Sequence, residues 1–164
     1  MTTHTPADQS TIVEMMRDQR FCMLTTFAPE GELHSHPMTP QRIDDDGDVW
    51  CFIDGTSESA TNLIRDIRVN LAFGDSSTWL SVAGSGVVLD DRDKIADLWN
   101  PMVEAWYPEG AESPDVRLLR VEPVSAQFWD TPGGRVTSAL SFVRSKITGD
   151  RPAGHSGTVE MGGE

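Results

Sequence analysis

The residues with the most chemical potential sit in two short stretches. His34, Ser35 and His36 lie in a run of strand-forming residues. Extended backbone puts side chains i and i+2 on one face, so the two imidazoles share a face and the Ser35 hydroxyl takes the other. Two histidines alone do not make a metal centre, and no third ligand stands at a telling spacing. Ser35 lacks the neighbouring base of a nucleophile elbow, so hydrolase chemistry has no support. The second stretch is Ser57-Glu58-Ser59 with Thr61, which opens a helix. Helix amides and hydroxyls at such a start can receive an anion. Gly84-Ser85-Gly86 is not a phosphate loop, because no Lys-Ser or Lys-Thr follows it. The Asp44-Asp45-Asp46 run falls in a turn, lacks the spacing of a calcium loop and reads as solvated. Cys22 and Cys51 each sit in an apolar segment with no partner at CxxC spacing, so both read as buried free thiols.

The elements that position these residues follow from periodicity and turn signals. Thr11 to Asp18 reads as an amphipathic helix capped by Ser10 or Thr11, with Ile12, Met15 and Met16 on its apolar face. Phe21 to Phe27 is a strand, followed by a turn at Pro29-Glu30-Gly31-Glu32 and an answering strand from Leu33 to Ile43. Pro37 and Pro40 interrupt that strand and mark an edge, bulge or bend. Val49 to Ile53 is a third strand, and Ser57 or Ser59 caps a helix through Asp66. Val69 to Phe73 and Thr78 to Leu89 are further strands. Asp90 or Asp91 starts a helix through Trp106 that Pro101 kinks or splits. Val116 to Val121 and Val124 to Trp129 read as two strands split by Glu122-Pro123, and Val136 to Ile147 as a terminal helix. Six or seven antiparallel strands in succession, with helices inserted, imply a barrel or sandwich, mainly β. Trp50 and Phe52 are expected to fill the barrel or an interface. The domain is expected over 1–149, with a glycine-rich flexible tail over 150–164.

Composition narrows the function classes. A chain of 164 residues fits one domain and can bury a core. The net charge of −13 speaks against nucleic acid, which needs clustered Lys and Arg. No apolar run approaches a membrane span, and the start lacks the apolar middle of a signal peptide, so a cytoplasmic location and no membrane partner are expected.

The order of motifs is the most informative feature. Leu24-Thr25-Thr26 is followed by Gly31 and His34-Ser35-His36-Pro37-Met38, by Trp50-Cys51-Phe52-Ile53, by a serine-bearing helix start and by Arg68-Val69-Asn70-Leu71-Ala72-Phe73. Then come Val82-Ala83-Gly84-Ser85-Gly86, Asp90-Asp91, Leu98-Trp99, Trp106-Tyr107-Pro108-Glu109-Gly110, Val121-Glu122-Pro123 and Gln127-Phe128-Trp129-Asp130. From Arg17 to about Gly149 this series resembles the general stress protein branch of the pyridoxamine 5'-phosphate oxidase superfamily. The resemblance implies a split β-barrel homodimer with flavin mononucleotide (FMN) at the dimer interface, and a flavin-dependent oxidoreductase as the expected activity. It also implies that Ser35, His36, Pro37 and Met38 lie along the flavin. The backbone of Cys51, Phe52 and Ile53 would meet the polar edge of the ring, and Ser57, Ser59 and Thr61 would take the phosphate. Trp129 would approach the pocket from one subunit or the other.

The chain departs from that family at the phosphate. His36 stands where an Arg is usual, Gln41 where the oxidases have a Lys, and Glu58-Ser59 where cationic residues open the helix. Helix amides and hydroxyls can still hold a phosphate, and Arg42, Arg65 or Arg68 are possible substitutes, but losing charge-assisted contacts weakens the site. The expectation is weakened FMN binding, or a different flavin, a deazaflavin or haem. The C-terminal Arg-Leu-x-Pro-type motif of true pyridoxamine phosphate oxidases is absent, which disfavours that activity. The alternative to a reductase or oxidase is a non-catalytic binding or stress module, or a structural dimer with a vestigial pocket.

Overall fold

The computed structural model describes residues 8–130 and 155–162. Helix α1 (Gln9–Arg17) begins two residues earlier than its sequence pattern indicates, because Asp8 is the cap. Its carboxylate accepts the Thr11 amide at 3.0 Å and the hydroxyls of Ser10 and Thr11. Ile12, Val13, Met15 and Met16 go into the core.

After α1 come β1 (Cys22–Phe27), β2 (Leu33–Met38), β3 (Pro40–Ile43), β4 (Val49–Asp54), α2 (Glu58–Arg65), β5 (Arg68–Gly74) and β6 (Thr78–Leu89). The chain continues through α3 (Arg92–Leu98), α4 (Pro101–Trp106), β7 (Val116–Asp130) and β8 (His155–Glu160). The strands form one antiparallel sheet in the order β2-β1-β5-β6-β7-β4-β3, with β8 added beside β7. β2 and β3 are the two ends of that order, yet only Thr39 separates them in the chain. A sheet whose ends are joined by one residue has to curl until they meet, so it is a barrel. Pro37 and Pro40 flank the joint, where a missing backbone donor is tolerated. The ends meet at a bend and not through a ladder, and this gap is the split.

The barrel interior holds Leu24, Val49, Cys51, Leu71, Val82, Leu119 and Val121, each fully buried. Trp50 and Phe52 do not fill it. They alternate with Val49, Cys51 and Ile53, so they face outward, where α3 and α4 cover them with Ile95, Val103 and Trp99. Pro101 splits the long helix as expected, with Asn100 capping the second half through Met102 and Val103.

Two further sequence expectations differ from the structure, and a third is untested. The two last strands are one, β7, because a register shift between Ala83 and Gly84 absorbs Pro123 opposite. That bulge is tight: a Cβ at Gly84 would lie 2.3 Å from the Glu122 carbonyl oxygen. Part of the supposed tail, His155–Glu160, is the strand β8 paired with Ser125–Asp130, and its Val159 is buried. The polar, glycine-bearing composition hid a short alternating pattern, Thr158-Val159-Glu160-Met161. The helix expected over 136–147 lies outside the described residues. Among the described residues, no helix is long and apolar enough to cross a membrane.

Candidate functional site

The split is where the chemistry-bearing residues meet. On one side runs β2, whose ladder partner is β1. On the other, β4 is covered by β3 only as far as Cys51, opposite Pro40. Phe52, Ile53 and Asp54 have β7 as their ladder partner among the described residues. Helix α2 starts a few residues after β4, capped by Ser57, whose Oγ accepts the Ala60 amide at 3.2 Å. Its first turn reaches across to β2 and spans the gap.

The crossing contacts are ionic. β1–β2 register puts His34 and His36 on the face of Thr26 and Leu24. His34 Nδ1 meets Glu58 Oε1, and its Nε2 meets Glu32 Oε2 at 3.0 Å. His36 Nε2 lies 3.3 Å from Glu58 Oε2, and its Nδ1 lies 2.9 Å from Ser59 Oγ. Asn62, 1% exposed, donates to Thr26 Oγ1 at 3.1 Å and so pins α2 against β1.

These contacts set the charge of the site. Both ring nitrogens of His34 face carboxylates, so only the imidazolium satisfies both, and the hydrogen bonds to Glu32 and then Glu58 hold its pKa above the usual histidine value. Glu58 in turn is held below the usual carboxylate range, chiefly by its hydrogen bond with His34. His36 is held at both ring nitrogens, Nε2 by Glu58 and Nδ1 by the Ser59 hydroxyl. Glu58 therefore faces both imidazoles, while Glu32 faces His34 alone.

The other residues singled out in the sequence fall as follows. Ser35 and Pro37 are exposed on the opposite, outer face, with Ser35 Oγ 2.6 Å from Thr25 Oγ1. Met38 is half-buried against the core. Cys51 is buried with strands on both sides, whereas Phe52 and Ile53 border the split. Ser59 is 2% exposed and committed to His36, and the Thr61 hydroxyl is exposed and donates to the Ser57 carbonyl at 3.0 Å. Trp129 pairs with Trp79 on the outer face. It lies ten residues along β7 from Leu119, the partner of Cys51, which is about 30 Å of strand. Within one chain it is remote from the split. Of the substitute cations, Arg42 is taken by Asp44 at 2.6 Å and Arg68 by Asp66 at 2.5 Å. Arg65 stands at the far end of α2, about 10 Å down the axis from Glu58. Lys94 lies 3.6 Å over the Trp50 ring, and the indole donates to Asp44 at 2.9 Å. Sequence reasoning missed Glu32 and Asn62, and it saw Glu58 only as an unfavourable neighbour of a phosphate. The alternation of His34 and His36 was the available signal, and the strand register needed to aim them at α2 was not.

Comparison with known proteins agrees with this architecture. The pyridoxamine 5'-phosphate oxidase-like family model matches residues 7–153. Protein bli-3 of Neurospora crassa is 28% identical in an alignment that covers 92% of this chain and 78% of that protein. Among solved structures, the general stress FMN/FAD binding protein of Xanthomonas citri is 31% identical, with a TM-score of 0.64 over 74% of this chain and 87% of that one. A Clostridium acetobutylicum protein related to general stress protein 26 shares the fold, with a TM-score of 0.67 at 20% identity over 76% of this chain and 91% of that one. The family match covers nearly all of the described barrel, and the chain belongs to the pyridoxamine 5'-phosphate oxidase-like family.

Proposed function

We propose that this protein binds a flavin at the split of its barrel, as a homodimer, and uses it in redox chemistry. The observation that carries this is the 31% identity to a protein described as FMN/FAD-binding, over most of both chains. The split supports it: the edge of β2 and the Phe52–Ile53 stretch of β4 offer backbone groups to the polar rim of a ring. In this reading Ser35, Pro37 and Met38 flank the ring, and Trp129 is supplied by the second copy, since its own chain holds it far along β7. A dimer also accounts for the exposed outer face, where Met23, Trp79 and Trp129 are each 40–45% exposed. When bound, the flavin would supply the electron chemistry, and the protein would supply position and electrostatics.

A second reading is a non-catalytic flavin-binding module. It is favoured because His34, His36, Glu32 and Glu58 are committed to one another, leaving none as an evident acid or base. Titration of the purified chain with flavins, alongside light scattering for mass, tests the main proposal. The expected result is saturable flavin binding by a dimer. Failure to bind FMN, FAD and riboflavin alike refutes it. Reduction of bound flavin by NADH or NADPH under anaerobic conditions separates the enzyme from the module.

A further inference from the structure

We propose that the preferred ligand is a flavin without a phosphate, an isoalloxazine bearing a neutral polyol chain, with the Glu58 carboxylate standing where a phosphate would go. This rests on the flavin reading above and concerns only the end of the ligand next to α2.

A phosphate at a helix start needs donors and positive charge. Here several donors are engaged, which leaves the Glu58 and Ser59 amides at the helix start. The Ala60 amide goes to Ser57 Oγ, the Thr61 amide and hydroxyl go to the Ser57 carbonyl, and the Ser59 hydroxyl is buried against His36. The positive end of the helix dipole already has an anion in its first turn, Glu58. The cations that sequence offered are elsewhere: Arg42 and Arg68 are paired with Asp44 and Asp66, and Arg65 is at the other end of α2. The His34 imidazole that touches Glu58 lies between Glu32 and Glu58. A phosphate dianion has no proton to give Glu58 and would meet its carboxylate in the first turn of α2. A polyol avoids that repulsion, because its hydroxyls can donate to the Glu58 carboxylate.

The test is titration of the full chain with FMN and with riboflavin, for the wild type, E58Q and E58K, at low ionic strength, with melting curves to show that each variant folds. The wild type is expected to bind riboflavin at least as tightly as FMN. E58K is expected to strengthen FMN binding about tenfold or more while changing riboflavin binding far less, with E58Q between. Tighter binding of FMN than of riboflavin by the wild type overturns the proposal. So does an FMN-to-riboflavin ratio that neither variant changes. If E58K does not fold, E58Q and the wild-type ratio decide. Binding of neither flavin overturns the flavin reading itself, and this inference with it.

Discussion

Replacing Gly84 with alanine tests whether the bulge between β6 and β7 is built as described. The added methyl would lie 2.3 Å from the Glu122 carbonyl oxygen and 3.1 Å from its carbon. Both are backbone atoms in the ladder, so no side-chain rotation relieves the overlap. The two strands must part by roughly an ångström at the point where Gly84 faces Pro123. Overpacking of a rigid site costs about 1–3 kcal/mol, and a backbone clash belongs at the upper end. At about 2–4 °C per kcal/mol for a domain of this size, the melting temperature should fall by about 4–12 °C. Gly31→Ala is the matched control. Gly31 has a φ of +85° and open space around its missing Cβ, so alanine there costs only backbone strain, about 1 kcal/mol, or about 2–4 °C. Calorimetric or fluorescence melting of both variants decides. If Gly84→Ala melts no lower than Gly31→Ala, the close approach is not a feature of the folded protein.

Three further outcomes are expected. NMR titration should place the His34 pKa above that of an ordinary histidine, and E58Q should lower it. Accordingly His34 stabilises the fold fully below the unfolded histidine value, and that contribution is lost as pH rises through the raised folded value. Glu58, with its depressed pKa, contributes above the ordinary carboxylate range and loses its contribution as pH falls through the folded value. A His34 that titrates at or below the ordinary value refutes the double carboxylate contact. Cys22, its thiol pushed up to about 12 by burial, and Cys51, raised well above the usual thiol value by burial in the same core, should both resist a thiol reagent at pH 8 and react after unfolding; rapid native labelling would contradict their burial. Trp50→Phe removes the indole donor to Asp44 and weakens the cation–π contact with Lys94, so its urea midpoint should fall by the equivalent of about 1–2 kcal/mol; an unchanged midpoint refutes that anchoring role.

The strands were legible because their signals are local. Alternation and turn residues placed β1, β4, β5 and β6 within a residue or two, and Pro101 announced the break between α3 and α4. The misreadings came where a distant partner decides. Pro123 looked like a strand break, but Gly84 on the neighbouring strand gives the space for a bulge. Trp50 and Phe52 were expected in the barrel or at an interface, but only the positions of α3 and α4 reveal that they lie on the outer face of β4 and are covered there. The site was half legible. His34, His36, Ser57 and Ser59 could be picked out from residue types and motif order. That His34 and His36 close onto Glu58 depends on the curl of the sheet, which brings residues some twenty positions apart to one gap.

β7 carries a consequence for how the protein is made. It is the one strand that touches β4, β6 and β8 together, and it occupies Val116–Asp130, late in the described chain. A nascent chain emerging from the ribosome can assemble β2-β1-β5-β6 as one ribbon and β3-β4 as a hairpin, but the two have no ladder between them until residues after 115 appear. During that interval β4 and β6 each expose an edge, which is the moment when association with another chain competes with folding. A stalled or truncated product ending before Val116 would therefore hold two unjoined sheets, and translation through Asp130 is the step that turns them into a barrel.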